Sequence, residues 1–267
     1  MGIVGKSAFI QSWKALDKSI IHIILLDFIY YSILLFVGSF YVYKVLPQAL
    51  QLLDAASLLR DEIFASTNDF VTQAGSMLDQ WTEFKIYTII ITLLLFTNYI
   101  LFKYFIWLKI QKKHQTHKKL LKQLGQFALL NLTIIAGIIL FLVGSYYAFV
   151  LDTFNIIFFF VAPILFIYTM NLTHPLFAMT EKYTQTWKLF WEIGVKQFYK
   201  FIIPYIIMLA GTVAMMWIVT LLLFLPSALY FVWYVLCFAA YFTWTKYYLY
   251  QIIQHSMKTK EKSKEKQ

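Results

Sequence analysis

Charge is scarce in this sequence and cysteine is almost absent. Asp, Glu, Lys and Arg make up 13% of the 267 residues, against 61% hydrophobic residues. A water-soluble chain carries about a quarter charged and about half apolar residues. There is too little polar surface here to cover a globule, so a soluble domain is excluded, and so is disorder outside the C-terminal tail. The single cysteine, Cys237, lies inside an apolar run, which excludes a disulfide scaffold. Arg60 is the one arginine, leaving almost no side chain suited to a bidentate grip on phosphate or carboxylate. Walker, HExxH, GxSxG and paired-carboxylate motifs are all missing, so nothing argues for an enzyme, and no cofactor is expected.

The chain is instead rich in long apolar runs, with 20% aromatic residues and a mean hydropathy of +0.67. A spanning helix needs about 20 mostly apolar residues to cross about 30 Å of hydrocarbon. Six stretches qualify, at about 20–43, 86–108, 127–150, 153–171, 201–225 and 228–250. They are apolar on every face, whereas strands of a barrel would alternate, and in lipid an isolated segment must satisfy its own backbone. The expected fold class is therefore all-α, a polytopic membrane protein of six helices. The first run is too long for a signal-peptide core and is read as a retained helix.

Lysine placement sets the expected orientation. Of the 23 basic residues, only Lys44, Arg60 and Lys85 fall on the side of the first, third and fifth connections. The rest lie near the N-terminus, in the second-to-third and fourth-to-fifth connections, or at the C-terminal end, including Lys103 and Lys246. The positive-inside rule then places both termini in the cytoplasm of a cell membrane. The net charge of +10 is accounted for by an anionic inner leaflet, and nucleic acid is not an expected partner.

A fourfold-residue motif recurs three times, as Gln11-Ser12-Trp13-Lys14, Gln115-Thr116-His117-Lys118 and Gln185-Thr186-Trp187-Lys188, each before an odd-numbered span. Val37-Gly38-Ser39 and Val143-Gly144-Ser145 match at span ends, as do Lys103-Tyr104-Phe105 and Lys246-Tyr247-Tyr248. These matches predict three tandem parallel hairpin repeats, about 6–110, 112–175 and 182–252, in a single domain over 1–257 with a disordered basic tail at 258–267. Lys with Trp and Leu over 6–18, 112–125 and 182–198 predicts cytoplasmic amphipathic helices, anchored by Trp13, Lys14, His117, Lys118, Trp187 and Lys188. The first outer connection, about 46–85, is long and helically periodic, which predicts an outer helical hairpin over the bundle.

Asp27 is the one carboxylate within a span, and an intramembrane charge costs about 2.5–3.5 kcal/mol on insertion scales. It has no cation three or four residues away, so a charged partner must come from another helix. Aligned on the repeated motif, Asp27 falls opposite Asn131 and Phe201. Asn131 and Asn155 place amides in spans, and Pro163 and Pro204 interrupt two helices, where a kink can open a cavity. Gly137, Gly144, Ala210 and Gly211 allow close helix approach. His114 and His117 share a helical face, but two ligands beside a lysine run do not make a metal site, and none is expected.

The Gln11–Lys14 and Gln185–Lys188 helices leading into spans resemble those of uncharacterised six-span prokaryotic integral membrane proteins. Among these is the membrane domain attached to some glycerophosphodiester phosphodiesterases. The resemblance implies a cytoplasmic-membrane protein. It implies no phosphodiesterase activity, because that catalytic domain is not in the chain. The expected function is a non-enzymatic scaffold or accessory subunit, working beside a protein partner or a second copy in the bilayer. The alternatives are a small-solute or lipid permease with a polar pocket around Asp27, Asn131 and Asn155, and then a lipid-modifying enzyme.

Overall fold

The computed structural model describes residues 10, 12, 19–52, 67–112, 117–148 and 152–264. Their regular structure is helical: α1 (Ser19–Phe40), α2 (Thr67–Ile110), α3 (His117–Ala148), α4 (Asp152–Thr180), α5 (Tyr183–Leu189), α6 (Tyr199–Thr220) and α7 (Ser227–Lys264). Six stretches are long and apolar enough to cross a membrane, namely Ile20–Leu52, Met77–Ile110, Lys118–Gly144, Val161–Thr180, Tyr199–Thr220 and Ser227–Lys258. Large apolar side chains remain exposed along them, Phe36 at 76%, Leu140 at 71%, Leu209 at 67% and Trp217 at 71%. Water would penalise so much exposed hydrocarbon, whereas lipid is its natural solvent. The protein is thus a multi-pass integral membrane protein.

Several boundaries differ from the expectation. The described parts of the outer insertion are not separate helices: 46–52 continue α1 and 67–85 form the first turns of α2. No proline interrupts 67–110, so the helix runs for 44 residues, about 66 Å at 1.5 Å per residue. Residues 53–66 lie outside the described residues. Likewise 117–125 open α3 and continue directly into the third span, so no separate amphipathic helix stands there. Pro163 and Pro175 both sit inside α4, which carries on to Thr180. The first amphipathic segment falls largely outside the described residues; Ile10 and Ser12 within it are helical.

Among the described residues, two π-helical turns punctuate the chain. Tyr41–Val45 follows α1, and its end is marked by the Leu46 N–H donating to the Tyr41 carbonyl. Pro47 comes next but one; it has no N–H and its ring crowds the preceding turn, which a widened turn relieves. Phe190–Val195 follows α5 and closes with Lys196 N donating to the Trp191 carbonyl at 3.1 Å. The Gly194 carbonyl within this turn accepts from the Tyr168 hydroxyl at 2.7 Å. A Cβ at Gly194 would stand 3.0 Å from Leu172 Cδ1, so glycine suits this close packing.

The chain divides into two compact units, Ile29–Tyr99, and Met1–Phe28 together with Ile100–Gln267. In the first, Tyr30 meets Tyr31 edge-on at 4.9 Å and approaches Tyr99 at 6.3 Å. Trp81 stacks on Phe84 at 5.5 Å, with Lys85 Nζ 5.1 Å from the Trp81 ring centre. The second unit holds two buried clusters. Leu172, Leu176, Phe190, Ile193, Phe201, Met208, Tyr248 and Ile252 join α4, the second π turn, α6 and α7. Ile23, Ile106, Trp107, Ile110, Ala178 and Tyr247 join the start of α1 to the ends of α2 and α4 and to α7. Burial in α3 is likewise concentrated at one end: Gln123, Phe127, Leu130, Asn131 and Ile134 are buried, and no described residue from 135 to 144 is. The packed block of this unit therefore lies toward the lysine-bearing ends of the helices.

Candidate functional site

Asp27 lies in the third turn of α1, one turn beyond Ile23. Lys103 precedes Ile106, Trp107 and Ile110 at helical spacing, so packing of those residues against Ile23 draws Lys103 to the same layer. Thr243 and Lys246 are three residues apart on α7 and share a face. The result is a buried ionic cluster. Asp27 has no exposed surface; its Oδ2 accepts from the Thr243 hydroxyl at 2.8 Å. Lys246 Nζ donates to Oδ1 at 2.6 Å and also contacts Oδ2. Lys103 Nζ stands 3.9 Å from Oδ1, and the Lys103 and Lys246 side chains are only 12% and 11% exposed. Two lysine amines thus face one carboxylate. A lone intramembrane charge is costly, and pairing with added hydrogen bonds offsets that cost.

A second buried polar pair lies in the same unit. Asn131 Nδ2 donates to the Phe127 carbonyl one turn earlier at 2.8 Å. Its Oδ1 is therefore the acceptor facing His174 Nε2 at 2.8 Å, which sets Nε2 as the protonated nitrogen. The Phe127 ring lies 4.9 Å from the His174 ring, and His174 lies within the field of Lys103 and Lys246. A third chain of contacts links α2, α3 and the residue after α4. The Tyr104 hydroxyl donates to Gln123 Oε1 at 2.8 Å, Gln123 Nε2 donates to Glu181 Oε2 at 2.7 Å, and Lys119 Nζ pairs with the same oxygen at 2.8 Å.

Of the residues singled out in the sequence, Asp27 is at the centre of the ionic cluster, with partners from other helices. Asn131 pairs with His174, not with Asp27. Pro163 is exposed on α4 and Pro204 is buried in α6, and neither is a polar partner of Asp27. Asn155 is in α4, but its side chain lies outside those described, as does that of His117; Trp13 and Lys14 lie outside the described residues altogether. Lys118 and Lys188 are exposed. Trp187 is half-buried against the α4–α6–α7 core, edge-on to Phe190 at 5.6 Å. Gly137 and Gly144 face open space, whereas a Cβ at Gly211 would stand 2.8 Å from the Tyr241 hydroxyl. Among the described residues, no three His, Cys, Asp or Glu side chains converge on a metal position.

Sequence reasoning did not assign Lys103, Thr243, Lys246, His174, Gln123 or Glu181 to a site. Only the matched Lys-Tyr-aromatic triplets at Lys103 and Lys246 hinted at a shared role. The chain matches no protein-family model, no curated protein and no solved structure.

Proposed function

We propose that the protein is a non-enzymatic scaffold or accessory subunit of the cytoplasmic membrane. The observation that carries this reading is the saturation of Asp27. A carboxylate with no exposed surface, hydrogen-bonded by Thr243 and Lys246 and faced by Lys103, has both oxygens engaged within the protein. Such a group ties α1, α2 and α7 together; it is not poised to receive a solute. Asn131 is likewise occupied by Phe127 and His174. In the hairpin-repeat reading, the first, third and fifth spans present Asp27, Asn131 and Phe201 at equivalent places. Lys103 of α2 and Lys246 of α7 answer Asp27, and His174 of α4 answers Asn131, so the polar contacts serve as fastening between helices.

The permease alternative places water and solute at Asp27. In a Cys237→Ser background the chain has no cysteine, and Thr243→Cys puts a thiol beside the carboxylate. The scaffold reading expects that thiol to resist a small membrane-impermeant maleimide applied from either side of sealed vesicles. It also expects Asp27→Leu combined with Lys103→Met and Lys246→Met to keep the oligomeric mass or the stoichiometric partner of the parent. Rapid one-sided labelling at position 243 would support the permease and overturn the scaffold.

A further inference from the structure

Away from the buried ionic cluster, a cavity of about 620 Å³ opens where α3 begins and α4 ends, with Lys119, Lys122 and Lys182 among its lining residues. Such a volume is in the range of sites for small organic ligands, about 300–1,000 Å³. Lys119 and Lys122 are three residues apart and share a face of α3. Glu181 has a left-handed backbone, φ 57°. That turn reverses the chain after α4 and carries Lys182 and Tyr183 to the cavity wall.

The one carboxylate among the lining residues does not cancel the lysines. Glu181 Oε2 is held by both Lys119 and Gln123, and Gln123 is fixed in turn by Tyr104. Lys122 and Lys182 are exposed and make no ion pair among the described residues. Two positive charges are thus available to a ligand. The lining also has an apolar side, because Leu129 belongs to it. Leu129 and Leu132 are 52% and 50% exposed on the helix that continues as the third span. Tyr183 caps this side, its hydroxyl 3.2 Å from Thr133 Oγ1. Cationic donors next to an exposed apolar ridge match an anionic head carried on a hydrocarbon chain.

We propose that this cavity binds the phosphate of an anionic phospholipid, with Lys122 and Lys182 as the principal phosphate contacts and the acyl chains lying along Leu129 and Leu132. The test uses the full chain in mild detergent and native mass spectrometry, with dioctanoyl phosphatidylglycerol, dioctanoyl phosphatidylcholine and inorganic phosphate as probes. The phosphatidylglycerol is expected to fill one saturable site more tightly than the net-neutral phosphatidylcholine. Lys122→Gln with Lys182→Gln is expected to weaken it about tenfold or more. Lys109→Gln with Lys196→Gln removes the same charge from other exposed positions and is expected to leave binding within about twofold of the parent. If inorganic phosphate binds as tightly with the same dependence on Lys122 and Lys182, the phosphate site stands but the lipid assignment is overturned. Equal binding of the two lipids, or equal loss in both lysine pairs, overturns the site itself.

Discussion

Substituting Asp27→Asn tests the ionic cluster most directly. The change is nearly isosteric, so packing is kept while the charge is removed. In the parent, one carboxylate faces two lysine side chains that are 11% and 12% exposed; in the variant, Lys103 and Lys246 are left with no counter-charge. Removing one partner of a buried pair costs about 3–5 kcal/mol, a fall in Tm on the order of 10 °C for a chain of this size. Lys246→Met is expected to be milder. Asp27 then keeps the Thr243 hydroxyl as a hydrogen-bond donor and Lys103, 3.9 Å from Oδ1, as a charged neighbour, so it is not left unpaired. The Asp27→Asn, Lys246→Met double variant removes both members of the direct pair and should regain at least about 2 kcal/mol relative to the sum of the single losses. Thermal unfolding of detergent-purified protein, followed by tryptophan fluorescence, measures all four corners of the cycle. If Asp27→Asn lies within about 1 kcal/mol of the parent, or the two losses simply add, the carboxylate is not the counter-ion described above.

Further outcomes follow from individual contacts. Gly211→Ala drives a methyl into Tyr241, whose hydroxyl also donates to the Met208 carbonyl, and should cost about 1–3 kcal/mol. Gly137→Ala meets open space and should gain up to about 1 kcal/mol from helix propensity; equal shifts in Tm would count against the packing at Gly211. His174→Phe strands the buried Asn131 Oδ1 and is expected to cost about 1–3 kcal/mol. Adding Asn131→Leu should recover most of that loss, and a further fall in stability would contradict the pairing. For topology, single cysteines at Lys188 and Ser227, both exposed, should react with impermeant reagents from opposite faces of sealed vesicles. Labelling of both from one face would remove α6 as a span.

Much of this architecture was readable in advance from hydrocarbon length. Each of the six expected runs overlaps a helix able to span a bilayer, because in lipid the backbone must bond to itself whatever its neighbours do. Helix ends were less legible. Nothing in the local pattern of 67–85 or 117–125 distinguishes a polar helix that stops from one that runs on into a span, and here both run on. The expected hairpin and the amphipathic helix over 112–125 were drawn at changes of polarity, and polarity does not terminate a helix when no breaker is present.

The ionic cluster divides along the same line. From the sequence it was plain that Asp27 is alone in its span and must find its counter-ion on another helix, since helical spacing limits which residues of α1 can reach it. That the counter-ions are Lys103 and Lys246, joined by Thr243, could not be read, because each partner lies far from Asp27 in the chain. Their meeting depends on how Ile23, Ile106, Trp107 and Tyr247 pack together. Composition and periodicity alone determined that this chain lives in a bilayer as a set of helices, since solvation acts on each segment separately. Which charges neutralise one another, and where a cationic cavity remains, was decided only by the packing of one helix on the next, a cooperative property that no single segment contains.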